Sequence, residues 1–136
     1  TVSFIRQNFS GIRKVSLLSR NGTYYSDVYK NEIQKNNLIF QEHSDEIQQK
    51  IDDSIAHKEY GIKSYQFPVK DKAIAGLHYA LDQHHKQGVE LIILGCTEIP
   101  LVLKDKTYKN IQLLDATKIL ARAAIMKSNK NKLKTD

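Results

Sequence analysis

A short apolar run constrains the fold of this chain more than any other segment. Residues Leu91 to Leu94 are all aliphatic and lie between two turn-forming glycines, Gly88 and Gly95. A continuous run of this length is typical of a strand that is covered on both faces, as inner strands of parallel sheets are. Such a strand directs its C-terminal end toward the crevice in which α/β proteins bind ligands.

The only cysteine of the chain follows this predicted strand. Cys96 comes one residue after Gly95, and Thr97, Glu98 and Pro100 mark the start of a predicted helix. A thiol at a helix N-terminus faces unpaired N–H groups and the positive end of the helix dipole, which lower its pKa. The competing interpretation is inert packing, because free cysteines are among the most buried residues.

Predicted strands and helices alternate along the chain. This pattern predicts a single α/β domain of three layers, with a mainly parallel, roughly four-stranded sheet and helices on both faces. The predicted strands cover 15–19, 38–40, 91–94 and 111–114, and the predicted helices cover 2–8, 24–35, 44–58, 71–87 and a last segment ending near 126. We expect a lead-in segment over 1–13, the α/β domain over 14–127 and a basic flexible tail over 128–136.

The charge pattern argues against a nucleic-acid partner. The formal net charge is +6, but the last ten residues hold four lysines against one aspartate. The remaining excess is spread out, without the interleaved aromatic and basic residues that stack and bind nucleic acids. A single cysteine is consistent with a reducing cytoplasm, and no apolar run approaches transmembrane length, so we expect a cytoplasmic protein without a membrane partner.

The histidines do not form a metal-binding motif. His78 and His85 are seven residues apart on a predicted helix, and no cysteine pair accompanies them or the adjacent His84. We therefore predict no metal site. His43 and His57 are predicted to be solvated helix residues.

Residues Gly95 to Leu101 read Gly-Cys-Thr-Glu-Ile-Pro-Leu. This segment resembles the C-terminal catalytic signature of the cofactor-independent aspartate/glutamate racemase family. In that family Gly-Cys-Thr-His is typical of glutamate racemases and Gly-Cys-Thr-Glu of aspartate racemases, so the chain carries the aspartate form. Lys14 to Ser19 and Leu113 to Thr117 resemble further landmarks of the same C-terminal domain.

The resemblance implies roles for residues in two turns. Cys96 would be an acid/base thiol at the substrate α-carbon, and no cofactor, including PLP, would be needed. Thr23, Asn21 and Thr97 would bind the substrate, and Glu98 would orient or tune the thiol. Two alternatives stay open, since Thr23 is equally suited to cap the following helix and Glu98 to stabilise a helix N-terminus.

The chain departs from the family pattern at several positions. Arg20 replaces a small or hydroxyl residue, although its planar guanidinium suits a carboxylate. Leu120 stands where many aspartate-type members have a histidine. Family enzymes also have two similar domains that each donate a cysteine, whereas this chain has one cysteine and matches only the second half. Racemisation needs two bases on opposite faces of the α-carbon, so a single thiol is insufficient.

Three functions remain open from the sequence. The first is one half of an aspartate-type racemase acting on aspartate or glutamate, completed by an N-terminal racemase domain or by a homodimer that covers the exposed face. The second is an inactive carboxylate-binding or interaction module. The third is a nucleic-acid-associated domain, which only the bulk charge supports.

Overall fold

The computed structural model describes residues 1–128. Residues 129–136, most of the predicted basic tail, lie outside the described residues. The helices are α1 Val2–Asn8, α2 Asn21–Tyr25, α3 Val28–Lys35, α4 Asp45–Ala56, α5 Asp71–Lys86 and α6 Ala116–Ser128. The strands are β1 Lys14–Leu18, β2 Ile39–Phe40, β3 Leu91–Leu94, β4 Thr107–Tyr108 and β5 Ile111–Asp115.

The five strands form one sheet in the order β2-β1-β3-β5-β4. All neighbouring pairs are parallel except β4 with β5, which are antiparallel. The α/β class and the mainly parallel sheet are confirmed, with five strands where we predicted about four. The additional strand, Thr107–Tyr108, has two residues at the sheet edge, too few to produce a recognisable alternation of apolar and polar residues.

The sheet lies between two layers of helices. Ile92 and Leu94 of β3 belong to the core shared with α4 and α5, whereas Leu91 and Ile93 belong to the core shared with α1, α3 and α6. All four side chains are buried, which confirms that β3 is covered on both faces. Burial of each stabilises the fold by about 1.5–3 kcal/mol, so this strand anchors the layers on either side.

Two predicted helices differ in the structure. The helix expected over 24–35 is two helices, because Asp27 adopts a left-handed conformation with φ of 62° that interrupts the helix. The helix expected after Cys96 is only a 3-10 turn over Ile99–Leu101. Within residues 1–128, no helix has the length and apolar character needed to cross a bilayer.

Candidate active site

The ends of β1 and β3 lie side by side. Leu18 is opposite Leu94, and the Gly95 amide donates to the Leu18 carbonyl at 2.9 Å. A Cβ on Gly95 would lie 2.9 Å from Leu17 Cδ1 and 3.3 Å from Ser19 Cβ, so this close approach favours glycine. The pairing brings together the segments that follow the two strands, and these segments, which include the start of α2, contain every predicted site residue.

Cys96 is half-buried and its thiol is paired with Glu98. Its Sγ donates to Glu98 Oε2 at 2.7 Å. Burial, and then the hydrogen bond to Glu98, raise the pKa of the Cys96 thiol. The lowered pKa expected from a helix N-terminus is therefore wrong for this chain, because the 3-10 turn begins only at Ile99 and the nearest charge is a carboxylate.

Glu98 is ionised at neutral pH. Burial alone would raise its pKa, but hydrogen bonds from Cys96, from the Glu98 backbone and from Thr97, together with the Lys63 charge, hold that pKa below its ordinary value. Thr97 Oγ1 donates to Oε2 at 3.1 Å, and Lys63 Nζ lies 3.7 Å from Oε1. The Glu98 side chain makes no capping hydrogen bond to the 3-10 turn, so its geometry favours a role at the thiol.

Lys63 is a site neighbour that the sequence analysis missed. It lies in the loop between α4 and α5, where its amide donates to the Ile55 carbonyl at 2.9 Å. Gly61, two residues earlier, permits the tight fold of this loop, because a Cβ there would clash with the His57 backbone. No local motif marks Lys63, and only the tertiary fold brings it to Glu98.

Helix α4 holds the turn after β1. Asp52 Oδ1 accepts from Arg20 Nε at 2.7 Å and from the Asn21 amide at 2.9 Å. The pKa of Arg20 is raised chiefly by the hydrogen bond to Asp52, with smaller contributions from charge on Cys96 and Glu98. Arg20 is thus close enough to Cys96 and Glu98 to interact with them electrostatically. The carboxylate that it contacts directly is that of Asp52.

Thr23 lies inside α2 and caps neither neighbouring helix. The N-cap of α2 is Arg20 and that of α3 is Asp27, so the capping alternative for Thr23 is wrong. Thr23 is half-buried, and its hydroxyl takes part in no hydrogen bond to a described side chain or backbone group. This hydroxyl remains available to a ligand. Leu120 is 71% exposed on α6 and contributes no polar group.

Two histidine predictions need correction or refinement. His43 is buried instead of solvated, because Tyr24 stacks on its ring at 4.3 Å and the Tyr24 hydroxyl accepts from its backbone amide at 3.0 Å. His57 follows α4 and is only half-exposed, since it stacks on Tyr60. Within residues 1–128, no group of three or more His, Cys, Asp or Glu side chains is arranged to hold a metal ion.

A cavity of about 650 Å³ lies beside this edge of the sheet, but Cys96 does not line it. Its wall includes Leu94 and Asp115 at the strand ends, with Phe4 and Phe9 from the N-terminal region and Ile119 from α6. Asp115 accepts from the amides of the first turn of α6 and is therefore already occupied. Neither Cys96 nor Glu98 lines this cavity.

Comparisons with known proteins give a matching family model and a curated relative. Residues 2–124 match the family model of Asp/Glu/hydantoin racemases. A Pectobacterium carotovorum subsp. carotovorum protein, described only as uncharacterized and in the pnlA 3′ region, is 31% identical over 117 residues, covering 82% of this chain and 71% of that protein.

Two solved structures share the fold. The aspartate racemase of Picrophilus torridus is 28% identical with a TM-score of 0.75, over 98% of this chain and 51% of that one. An aspartate racemase homologue from Pyrococcus horikoshii OT3 is 23% identical with a TM-score of 0.72, over 95% of this chain and 53% of that one. The chain thus spans about half the length of these solved structures.

Proposed function

Because this chain belongs to the Asp/Glu/hydantoin racemase family, we propose that it forms one half of a PLP-independent, aspartate-type amino-acid racemase. The observation that carries the proposal is the hydrogen bond of 2.7 Å from Cys96 Sγ to Glu98 Oε2. In it, the Glu98 carboxylate, whose pKa is lowered, accepts a hydrogen bond from the only thiol in the sequence. The hydrogen bond gives the thiol proton a carboxylate acceptor at contact distance, although the two pKa shifts make its transfer cost free energy.

The proposed chemistry begins with transfer of the thiol proton to Glu98. The resulting thiolate takes the α-proton of the amino acid, and the electron pair of the broken C–H bond remains on the substrate as a carbanion. A second acid on the opposite face then donates a proton to the α-carbon, which inverts the centre. A thiol with a raised pKa gives a stronger base once deprotonated, which favours attack on so weak an acid.

The substrate is proposed to be aspartate or glutamate. The Thr23 hydroxyl and the Thr97 backbone amide donate to no acceptor among residues 1–128, so both are available to a substrate carboxylate. The Thr97 hydroxyl instead donates to Glu98, which assigns it to the thiol pair. Arg20 adds positive charge near the same edge, which favours an anionic amino acid.

We propose that the second base is a cysteine that this sequence, with its single cysteine, does not contain. We propose either an N-terminal racemase domain or a second copy in a homodimer. A symmetric homodimer would bring two Cys96 thiols toward one substrate. Mild oxidation would then give a disulfide-linked dimer, and α-proton exchange would rise with the square of the protein concentration at low concentration.

An unpaired cysteine also suits the reducing cytoplasm that we propose as the location of this protein.

The test is proton NMR of L- and D-aspartate, and then of glutamate, in heavy water with the wild-type chain and with Cys96→Ser. We expect the α-proton signal to disappear with the wild type and to persist with Cys96→Ser. Chiral analysis showing the opposite enantiomer would establish inversion. A Cys96→Ser chain that still exchanges the α-proton would contradict the assignment of Cys96 as the base.

The second candidate is a carboxylate-binding module without turnover. The single cysteine in the sequence favours it, as does Leu120, which stands where the family resemblance leads us to expect a histidine. Exchange of the α-proton that depends on Cys96 is expected only of a racemase half. A binding module would let aspartate protect Cys96 from alkylation while showing no exchange at any protein concentration, even with a second cysteine-bearing racemase domain added.

A further inference from the structure

A hydrogen-bonded network of four polar side chains is buried between the sheet and the helices α4 and α5. Its members are Ser16 on β1, His84 on α5, His43 before α4 and Gln48 on α4. Ser16, His84 and Gln48 are fully buried and His43 nearly so. Burying polar groups costs free energy unless they are hydrogen-bonded, so the orientation of each donor and acceptor here is tightly constrained.

The direction of the hydrogen bonds is fixed at one end by a backbone carbonyl. Ser16 Oγ lies 2.8 Å from the Gln41 carbonyl oxygen, which can only accept, so Ser16 uses its single proton there. At 3.4 Å from His84 Nε2, the Ser16 oxygen must then accept. The proton of the neutral His84 ring is therefore on Nε2.

A second carbonyl fixes the other end independently. The Gln48 atom 2.9 Å from the Ser19 carbonyl oxygen must be the amide nitrogen, which leaves Gln48 Oε1 facing His43 Nε2 at 2.7 Å. His43 therefore carries its proton on Nε2. Its Nδ1 then accepts from His84 Nε2 at 3.1 Å, so the one Nε2 proton is shared between His43 and the more distant Ser16 oxygen, and His84 Nδ1 is buried without a hydrogen-bond partner among the described residues.

Both histidines remain neutral at physiological pH. Burial lowers the pKa of His43. Burial, with the neighbouring His43, lowers the pKa of His84 to about 3. The orientation of the whole network is thus fixed at neutral pH. One assignment of the protons is compatible with both backbone carbonyls, that of Gln41 and that of Ser19.

The network ends at Asn21, the first residue of α2, at the edge of the sheet that also carries the Cys96–Glu98 pair. Gln48 Nε2 also donates to an atom of Asn21 at 3.0 Å, so that atom must be the amide oxygen Oδ1. Asn21 Nδ2 is left with two protons and no acceptor among residues 1–128. Asp52, one helical turn after Gln48 on α4, holds the Asn21 backbone amide at 2.9 Å. Helix α4 thus fixes both the backbone and the side chain of Asn21.

We infer that the buried network from Ser16 through His84 and His43 to Gln48 orients the Asn21 amide so that Nδ2 donates to a carboxylate of the amino-acid substrate. Gln48 is the positioning residue, and Asn21 is the residue that contacts the ligand. The inference rests on the proposed function, because it assumes an amino-acid carboxylate at this edge of the sheet.

Asn21→Asp tests the contact. Aspartate retains an oxygen that accepts from Gln48 but replaces the Nδ2 donor with a second carboxylate oxygen. The measurement is the L-aspartate concentration that half-protects Cys96 from alkylation by iodoacetamide. We expect this concentration to rise about tenfold or more, because a donor to a charged group is replaced by a like charge. The ¹⁵N NMR signals of both histidines should stay unchanged.

Gln48→Met tests the positioning role, and Gln49→Met is its matched control. Gln49 is the next residue of α4, is exposed and donates only to Asp53 among the described side chains. We expect weaker protection with Gln48→Met and wild-type protection with Gln49→Met. In the Asn21→Asp background, Gln48→Met should produce no further loss, whereas a merely structural role would add a further loss.

The outcomes separate the two proposals. If aspartate does not protect the wild-type chain, the proposed function fails and this inference fails with it. If wild type and Asn21→Asp are protected equally, only the inference fails. Full protection of Gln48→Met, or a His43 ring protonated on Nδ1 in the ¹⁵N spectrum, would overturn the positioning role.

Discussion

At the scale of single residues, burial and Glu98 together set the ionisation of Cys96. The thiol donates to Glu98 at 2.7 Å, and this contact is the second cause of its raised pKa after burial. Lys63 partly offsets the carboxylate charge from 3.7 Å. Because Lys63 is 46% exposed, solvent screening limits this ion pair to about 1 kcal/mol or less.

Glu98→Gln should lower the pKa of Cys96 and also reduce α-proton exchange. The neutral amide removes the negative charge that disfavours the thiolate, yet it cannot take up the thiol proton. The rate of iodoacetamide alkylation of Cys96, measured between pH 6 and 10, should therefore shift to lower pH. Glu59→Gln is the control, since Glu59 is exposed and distant in sequence from the site. An unchanged alkylation profile would show that Glu98 does not tune the thiol.

Single residues also show which properties of the site could not be predicted from the sequence. Cys96, Thr97 and Glu98 form one contiguous motif, so their proximity was predictable from sequence. The direction of the Cys96 pKa shift was not predictable, because it depends on burial and on the conformation of the following turn. His43 and Lys63 gave no local signal, since their contacts lie on other elements.

At the scale of elements, the approach of β1 to the turn after β3 defines the site. Gly95 is the point of contact, and its amide completes the pairing to Leu18. The parallel strands were predicted well because β3 is a continuous run of apolar residues and the other inner strands, β1 and β5, are mostly apolar. The break between α2 and α3 was missed, because a left-handed conformation at Asp27 interrupts a sequence compatible with one helix.

Gly95→Ala should destabilise the fold by about 1–3 kcal/mol, because the added methyl overpacks the contact with Leu17 and Ser19. Gly22→Ala is the matched control at the same edge of the sheet, since a Cβ there meets no atom within 4 Å. Urea unfolding monitored by circular dichroism measures both free energies of unfolding. Equal stability of the two variants would show that the Gly95 contact relaxes freely.

At the scale of the whole molecule, the buried histidines make stability depend on pH. In the unfolded chain His84 takes up a proton near pH 6.5, whereas in the folded chain its pKa is about 3. Its contribution to stability is therefore fully present above pH 6.5 and is lost as the pH falls toward 3. The lowered pKa of His43 acts in the same direction.

We expect the free energy of unfolding to fall by several kcal/mol, on the order of 3–5, between pH 7 and pH 3 through His84. His84→Gln keeps an amide donor but cannot be protonated, so its stability should vary less over this range. His85→Gln, at an exposed neighbouring position, should keep the wild-type dependence. Urea unfolding at several pH values measures this, and equal pH dependence in the two variants would exclude His84 as the cause.

The sequence by itself determined the layers, the strand end that carries the cysteine and the family signature, because these are encoded by local apolar periodicity and contiguous motifs. Tertiary structure alone decided the raised pKa of Cys96, the approach of Lys63 to Glu98 and the buried network that ends at Asn21. The physical reason is that these properties arise from burial and from contacts between residues far apart in the chain. Local periodicity records which face of an element is buried, but not which distant side chain meets it there.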